Sequence, residues 1–355
     1  MELEALLTQI GLEDGQARQR ARARWAACAK PLGGLGLLET ALEDIAALTG
    51  SAEIDLSQRA VLVLCADNGV TAQGVSQSPS SVTAAVAENL ARGRTSVCRM
   101  AQVARCRVVP VDMGILNFPG KEGVLDRRVG NGTGDISHEP AMTRAQAERA
   151  VRTGIELVER EKAQGTKLLA TGEMGIGNTT TATAVACTLL GRPAEELTGR
   201  GAGLSDRGLE RKIQVIRQAL RDRRPDPSDP LDMLAKVGGF DLAGMCGIFL
   251  GGALYGVPVL IDGVISAAAA LCAVRLCPHG KKALVASHVS AEPAGAQLLA
   301  ALGKAPLIAA GMHLGEGTGA VAAIPLLDMA CAVYQSAYTF DDCGIPPYQP
   351  LGGES

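Results

Sequence analysis

The chain has 355 residues, 47% hydrophobic and 20% charged, enough for a large buried core in one domain or in one plus an appendage. A net charge of −3 offers no basic surface for nucleic acid, and 3% aromatics offer no base-stacking platform. The longest apolar stretches, such as residues 257–261 and 267–274, are too short for a transmembrane span.

The ten cysteines include no C-x-x-C, and no signal-peptide pattern opens the chain. They read as reduced, buried thiols of a cytoplasmic protein. His138, His279, His288 and His313 show no metal-ligand spacing, so no metal site is expected.

Residues 1–50 read as helical. Leu3, Leu6 and Leu7 recur at helical spacing and residues 16–24 form an Arg-rich solvated face. Pro31 and three glycines in K-P-L-G-G-L-G-L-L-E break that helix before another over 37–48. The apolar run 60–66 has the pattern of a strand buried on both faces of a parallel sheet. It stops at Asp67-Asn68-Gly69-Val70, and ligands of open α/β sheets bind beyond the carboxyl ends of strands. A polar loop leads to Ser81, and one helix is expected over 82–103. A second strand, 107–112, again ends on an aspartate with glycine two residues on, which favours a doubly wound sheet. Within the loop-rich stretch 117–140, residues 130–136 read as a hairpin turn or a substrate loop. Thr143 and Gln146 form a capping box for a helix closed by Gly165.

The strand at 167–170 then opens into T-G-E-M-G-I-G-N-T-T-T-A-T-A, residues 171–184. Strand, glycine turn and helix start bring backbone N–H groups and a helix dipole to bear on an anion. Glu173 is an odd companion for a phosphate; it suits a sugar hydroxyl, a cationic ring or a proton in transfer. A second glycine turn, 199–204, precedes a helix over 205–221 whose stripe is Leu209, Ile213, Ile216 and Leu220. Lys212 lies on the edge of that stripe, either as a snorkelling lysine with a buried stem or as a cation aimed at a phosphate or carboxylate. Residues 224–230 are a connector, and 238–253 carry small residues for close helix packing. Strands at 258–262 and 283–287 follow, the first ending in Asp262-Gly263. The last turn, G-M-H-L-G-E-G-T-G at 311–319, encloses Glu316 and leads into a helix from about Val321. No turn matches a P-loop or a dinucleotide fingerprint. Three such turns suit a phosphorylated small molecule acted on by acid–base chemistry. Equally, Glu173 and Glu316 read as helix N-terminal carboxylates satisfied by the dipole.

Residues from about 30 to 340 carry, in order, K-P-L-G-G-L-G-L-L-E, A-D-N-G-V-T-A-Q-G-V-S, G-E-M-G-I-G-N-T-T-T-A, G-R-G-A-G-L-S-D-R-G-L-E-R-K, V-G-G-F-D-L-A, S-H-V-S-A-E-P-A-G and L-G-E-G-T-G-A. In combination they resemble the nicotinate-nucleotide–dimethylbenzimidazole phosphoribosyltransferase family of cobalamin nucleotide-loop assembly. The resemblance implies transfer of the 5-phosphoribosyl group of nicotinate mononucleotide to a lower-ligand base. It implies an α/β fold with a Rossmann-like parallel sheet flanked by helices (residues 51–324) and a small helical domain from residues 1–50 plus 325–355. It also implies a cytoplasmic homodimer, and no cofactor, since the nucleotide is a substrate.

Of the residues, Glu316 aligns with the catalytic glutamate, with Glu173 near the ribose C1′ and Lys212 as counter-charge. The phosphate would rest on Gly175, Gly177, Asn178, Thr179 and Thr180, on Gly201 and Gly203, and on Ser290. Leu314, Gly315, Asp67, Asn68, Ser78, Pro79 and Val86 complete the implied substrate site. The chain departs from the family pattern in several places. Asn68 replaces a usual histidine, Val86 a glutamine, Gly34 a serine and His313 an arginine, and Ser78-Pro79 stands where an aromatic-proline pair is common. These changes bear on the acceptor, so a benzimidazole, a purine, a phenol or a heterodimer with a related subunit are all open.

Overall fold

The structure, a computed structural model, describes residues 2–348. The N-terminal segment forms α1 (Leu3–Leu7), α2 (Gly15–Ala27) and α3 (Leu37–Thr49), then enters β1 (Arg59–Ala66). The single helix expected over 82–103 is two: α4 (Ser81–Ala91) and α5 (Ser96–Val103). Gly93, at φ +69°, takes the left-handed turn between them. β2 (Arg107–Gly114) and the two-residue β3 (Leu125–Asp126) follow. β3 pairs in parallel with β2, so residues 117–140 form an edge strand and loops and no hairpin.

Next come α6 (Arg144–Ala163), β4 (Leu168–Met174), α7 (Asn178–Leu190), α8 (Ala194–Leu197), α9 (Asp206–Arg223), α10 (Pro230–Val237) and α11 (Phe240–Tyr255). The chain continues through β5 (Val259–Ile261), α12 (Val264–Leu276), β6 (Leu284–Ala286), α13 (Ala294–Leu302), α14 (Thr318–Ser336) and α15 (Phe340–Cys343). The capping box at the start of α6 is present, with Gln146 N–H donating to Thr143 Oγ1 at 3.2 Å.

The six strands lie in the order β3-β2-β1-β4-β5-β6, all pairs parallel. This is a Rossmann-like sheet, whose winding reverses between β1 and β4; ligands bind at such a switch, beyond the carboxyl ends of the strands. β1 is buried on both faces, which is why its sequence shows no polar alternation. The small residues of α11 serve its packing: a Cβ on Gly247 would lie 1.9 Å from Val151 O, and one on Gly154 2.0 Å from Gly244 O. Glycine is therefore required where α6 and α11 touch.

The two ends of the chain meet: Trp25 stacks edge-on against Tyr334 at 4.9 Å, and Ala29 N–H donates to Tyr338 O at 2.8 Å. The expected segment 325–355 extends beyond the described residues at 349–355. Helix α14 is long and apolar enough by length and composition to cross a membrane, which the apolar runs of the sequence did not suggest. Half of its apolar window is buried against neighbours that include α3, α5 and β4, as a core helix requires.

Candidate active site

A cleft of about 310 Å³ opens at the carboxyl ends of β4 and β5, walled by segments 173–179, 200–202 and 313–316 and by the first turn of α12. Of the residues singled out from the sequence, Ser78, Val86, Glu173, Gly175, Gly177, Asn178, Thr179, Gly201, Ser290, Leu314, Gly315 and Glu316 line it. All three glycine turns therefore reach one space.

The Glu316 turn is built from three consecutive left-handed residues: Gly315 at φ +89°, Glu316 at +60° and Gly317 at +87°. A non-glycine residue in that region carries about 1–2 kcal/mol of strain, a cost that recurs at active sites. The turn packs over β4 because Gly172 has no side chain; a Cβ there would lie 2.5 Å from Glu316 O. The Glu316 carboxylate accepts the N–H of Val97 at 3.3 Å. Val97 lies in the first turn of α5, so the helix break missed from sequence points a helix N-terminus at Glu316. Thr95 beyond Gly93 was the available signal, since it occupies the cap position of α5.

Glu173, next to last in β4 and half-buried, accepts a hydrogen bond from Asn178 Nδ2, which also donates to Asp241 Oδ2 at 3.1 Å. Burial, then the Asp241 charge, pushes Glu173 up to about 8, against the opposing pull of the Asn178 bond. Burial likewise pushes Asp241 up to about 6. Neither Glu173 nor Glu316 caps its own following helix: one bonds a side chain, the other the N-terminus of α5.

Lys212 is fully buried, donating to Thr179 Oγ1 at 2.8 Å and to Gly199 O at 3.1 Å. Its ammonium does not reach water, which removes the snorkelling reading, and it sits behind the cleft wall. Burial pulls it down to about 8, with Glu292 opposing. Glu292 was not singled out from the sequence, although it lies inside S-H-V-S-A-E-P-A-G. Its Oε1 accepts Gly201 N–H at 3.1 Å, and a Cβ on Gly199 would strike its carboxylate. Glu292 and Lys212 together fasten the 199–203 turn. Ser290 is buried and its Oγ accepts the N–H of Glu292 at 3.3 Å.

The structure leaves six of the singled-out residues outside the cleft lining. Asp67 is buried and ties β1 to its neighbours, accepting Thr83 Oγ1–H at 2.6 Å and Leu116 N–H at 2.8 Å. Asn68 is buried behind Gly177, where its Oδ1 accepts Thr181 Oγ1–H at 3.1 Å. Thr180 is buried with its hydroxyl unpartnered. Gly203 carries the carbonyl bonded by Gln77 Nε2. Pro79 is exposed beside the cleft, and Lys212 lies beneath it. Asp262 and His288, read from sequence only as strand-end residues and not as part of the site, do line it. Among the described residues, no group of three or more His, Cys, Asp or Glu is placed to hold a metal ion.

A family model described as phosphoribosyltransferase matches residues 10–345. The nicotinate-nucleotide–dimethylbenzimidazole phosphoribosyltransferase of Ruminiclostridium cellulolyticum is 43% identical over 351 residues, 99% of this chain and 100% of that protein. The protein of the same name from Acetivibrio thermocellus is 46% identical over 321 residues, 90% and 92% of the two chains. Among solved structures, CobT from Thermus thermophilus superposes with a TM-score of 0.88 at 41% identity, covering 93% of this chain and 99% of that one.

Proposed function

The chain belongs to the nicotinate-nucleotide–dimethylbenzimidazole phosphoribosyltransferase family, and on that premise we propose how its cleft carries out the transfer. The enzyme moves the 5-phosphoribosyl group of nicotinate mononucleotide to dimethylbenzimidazole in cobamide biosynthesis, releasing nicotinate. The relatives carry the dimethylbenzimidazole name, so a phenol-directed or partner-dependent subunit is not favoured.

The observation that carries the residue assignment is the meeting of the Glu173, Gly201 and Glu316 turns around one cleft beyond the carboxyl ends of the parallel strands. The nucleotide phosphate rests on the N-terminus of α7, at Gly175, Gly177, Asn178 and Thr179, and on Gly201 and Ser290. Thr180, Gly203 and Lys212 support that cradle from behind, Lys212 supplying the counter-charge through Thr179 and the Gly199 turn. Glu173 faces the ribose, where a carboxylate stabilises positive charge developing at C1′. The acceptor lies toward Ser78, Val86, Leu314 and Gly315. Glu316 takes the N–H proton of the incoming imidazole ring. The other ring nitrogen attacks C1′ opposite the nicotinate, whose ring keeps the electron pair of the broken C–N bond, so the β-nucleotide gives an α-riboside. Asp67, Asn68 and Pro79 act by shaping the loops around the site. A well-placed base contributes ~10²–10⁴-fold, and alignment of the two substrates much of the rest.

Incubation with nicotinate mononucleotide and dimethylbenzimidazole tests the reading by following nicotinate release. Glu316→Gln should lose most of the rate while remaining folded; an unchanged rate removes Glu316 from the role of base. We further propose that residues 1–50 with 325–355 form a small helical domain beside the 51–324 domain, a reading supported by the Trp25–Tyr334 contact. A cytoplasmic homodimer is supported by the family likeness and by ten cysteines that are all free thiols. Sedimentation of the purified chain tests the dimer.

A further inference from the structure

A second cleft, of about 570 Å³, lies between β3 and α6 and shares no lining residue with the transfer site. Four arginines face it: Arg127 and Arg128 after β3, Arg149 and Arg152 one turn apart on α6. Its wall is mainly polar, on a chain whose net charge is −3.

The guanidinium groups differ in how they are held. Arg128 is fixed by the buried Asp112, to which it donates from Nη2 at 2.6 Å and Nε at 3.1 Å. Arg149 Nη2 donates to Arg128 O at 3.0 Å, and Arg127 Nη1 to Asp126 O at 2.9 Å. These two bonds use one donor each, leaving most of both forks open. Arg152 Nε is buried with no hydrogen-bond partner. Among the described residues, Arg127, Arg149 and Arg152 form no ion pair, although Asp126 and Glu156 border the same cleft. A buried, unpartnered guanidinium nitrogen is costly, and three unpaired forks around one space match the geometry of an oxyanion.

We propose that this cleft is an anion site that binds the phosphate group of a small phosphorylated metabolite. Arg149 and Arg152 supply the forks and Arg127 closes the rim, while the Thr153 hydroxyl is already spent on Arg149 O at 2.9 Å. Phosphate is favoured over a carboxylate because three planar forks need more acceptor oxygens than one carboxylate presents. The volume exceeds that of the phosphate, leaving room for the rest of a metabolite.

Calorimetric titration of the full chain with inorganic pyrophosphate, at constant ionic strength, tests this. Tricarboxylate is titrated in parallel as the carboxylate arm. The expected result is two binding events per chain, one at the transfer site and one here. Arg149→Gln/Arg152→Gln should abolish one of them while leaving turnover in phosphate-free buffer unchanged. Arg149→Lys/Arg152→Lys, which keeps charge but loses the forks, should weaken that event by roughly tenfold or more. Identical stoichiometry and affinity in the wild type and a folded glutamine variant would overturn the proposal. So would tricarboxylate binding at this site with no pyrophosphate binding. A changed oligomeric state in the glutamine variant, with pyrophosphate binding intact, would assign the cluster to a protein interface and also overturn it.

Discussion

The Asp262 carboxylate accepts the N–H of Gly317, one residue beyond Glu316, at 3.2 Å, and that of Ala320 at 2.9 Å. It thus ties the end of β5 to the start of α14 and holds the left-handed turn that aims Glu316. An asparagine at 262 retains one acceptor oxygen and turns an amide NH₂ toward a backbone donor. Asp262→Asn should therefore lower kcat roughly 10–100-fold through misplacement of Glu316, with the KM for nicotinate mononucleotide changed less than about threefold. Steady-state kinetics decide it: a rise in KM at constant kcat would assign Asp262 to nucleotide binding instead.

Gly172 permits the same turn from the other side. A methyl group at 172 would lie 2.5 Å from Glu316 O and 2.7 Å from its carbonyl carbon, both backbone atoms that must move together. Gly172→Ala should cost on the order of 1–3 kcal/mol and displace Glu316. A lowered thermal midpoint accompanied by loss of nicotinate release is expected. Full activity would show that the turn tolerates the shift.

Glu173 makes two predictions of definite sign. Burial and Asp241 hold its folded value near 8, above the ordinary carboxylate of an unfolded chain. The folded state then binds the extra proton, so this group's contribution to stability is fully present at low pH. It is lost as pH rises through about 8. Glu173→Gln should gain thermal stability relative to the wild type more at pH 9 than at pH 5. In addition, a cationic nicotinate ring beside Glu173 favours the ionised form. Nucleotide binding near pH 7 should release a proton, seen as a buffer-dependent binding enthalpy, and Glu173→Gln should remove that dependence. A buffer-dependent enthalpy that survives in the variant would assign the proton to another group.

Lys212 works in the opposite sense. Burial draws its ammonium down to about 8, below its unfolded value, so at neutral pH the charged form is retained at a cost to stability. That cost is relieved as pH rises above about 8, where the charge is lost. An anion beside it restores the charge, so wild-type affinity for nicotinate mononucleotide should fall above pH 8. Lys212→Met should raise the KM about tenfold or more at pH 7 and flatten its rise above pH 8. A parallel pH profile in the variant would show that Lys212 is not the group titrating.

Much of this architecture is local and therefore readable. The apolar runs of β1, β2, β4, β5 and β6 mark buried parallel strands, and Thr143 with Gln146 marks the start of α6. β3 was not readable because Leu125 and Asp126 are a strand only by pairing with Val111 and Asp112. The break between α4 and α5 was missed although residues 92–96 are polar or glycine, because helical spacing resumes beyond them; Gly93 takes the turn and Thr95 occupies the cap position of α5. The glycine turns of the site were evident, but their fastenings were not. Asp241 meets Asn178 across 63 residues, Asp262 meets Gly317 across 55, and Glu292 meets Gly201 across 91. Such partners are chosen by the folded sheet, not by local spacing.

Val86 gives the sharpest handle on the acceptor. It lines the cleft from α4 together with Val82, at a position where the family resemblance leads us to expect a glutamine. On the proposed placement of the acceptor, valine would offer its ring contact but no hydrogen bond, leaving the ring to be held by shape and by Glu316. Val86→Gln adds an amide worth about 0.5–1.5 kcal/mol if it bonds the ring, equivalent to roughly 2–13-fold in affinity. The KM for dimethylbenzimidazole should fall by that factor while the KM for nicotinate mononucleotide stays constant, because the proposed phosphate cradle lies on α7 and the 199–203 turn. A purine, which carries more acceptor nitrogens, should gain at least as much. If neither KM moves by twofold, the acceptor does not lie against this face of α4, and the side of the cleft bearing Leu314 becomes its place.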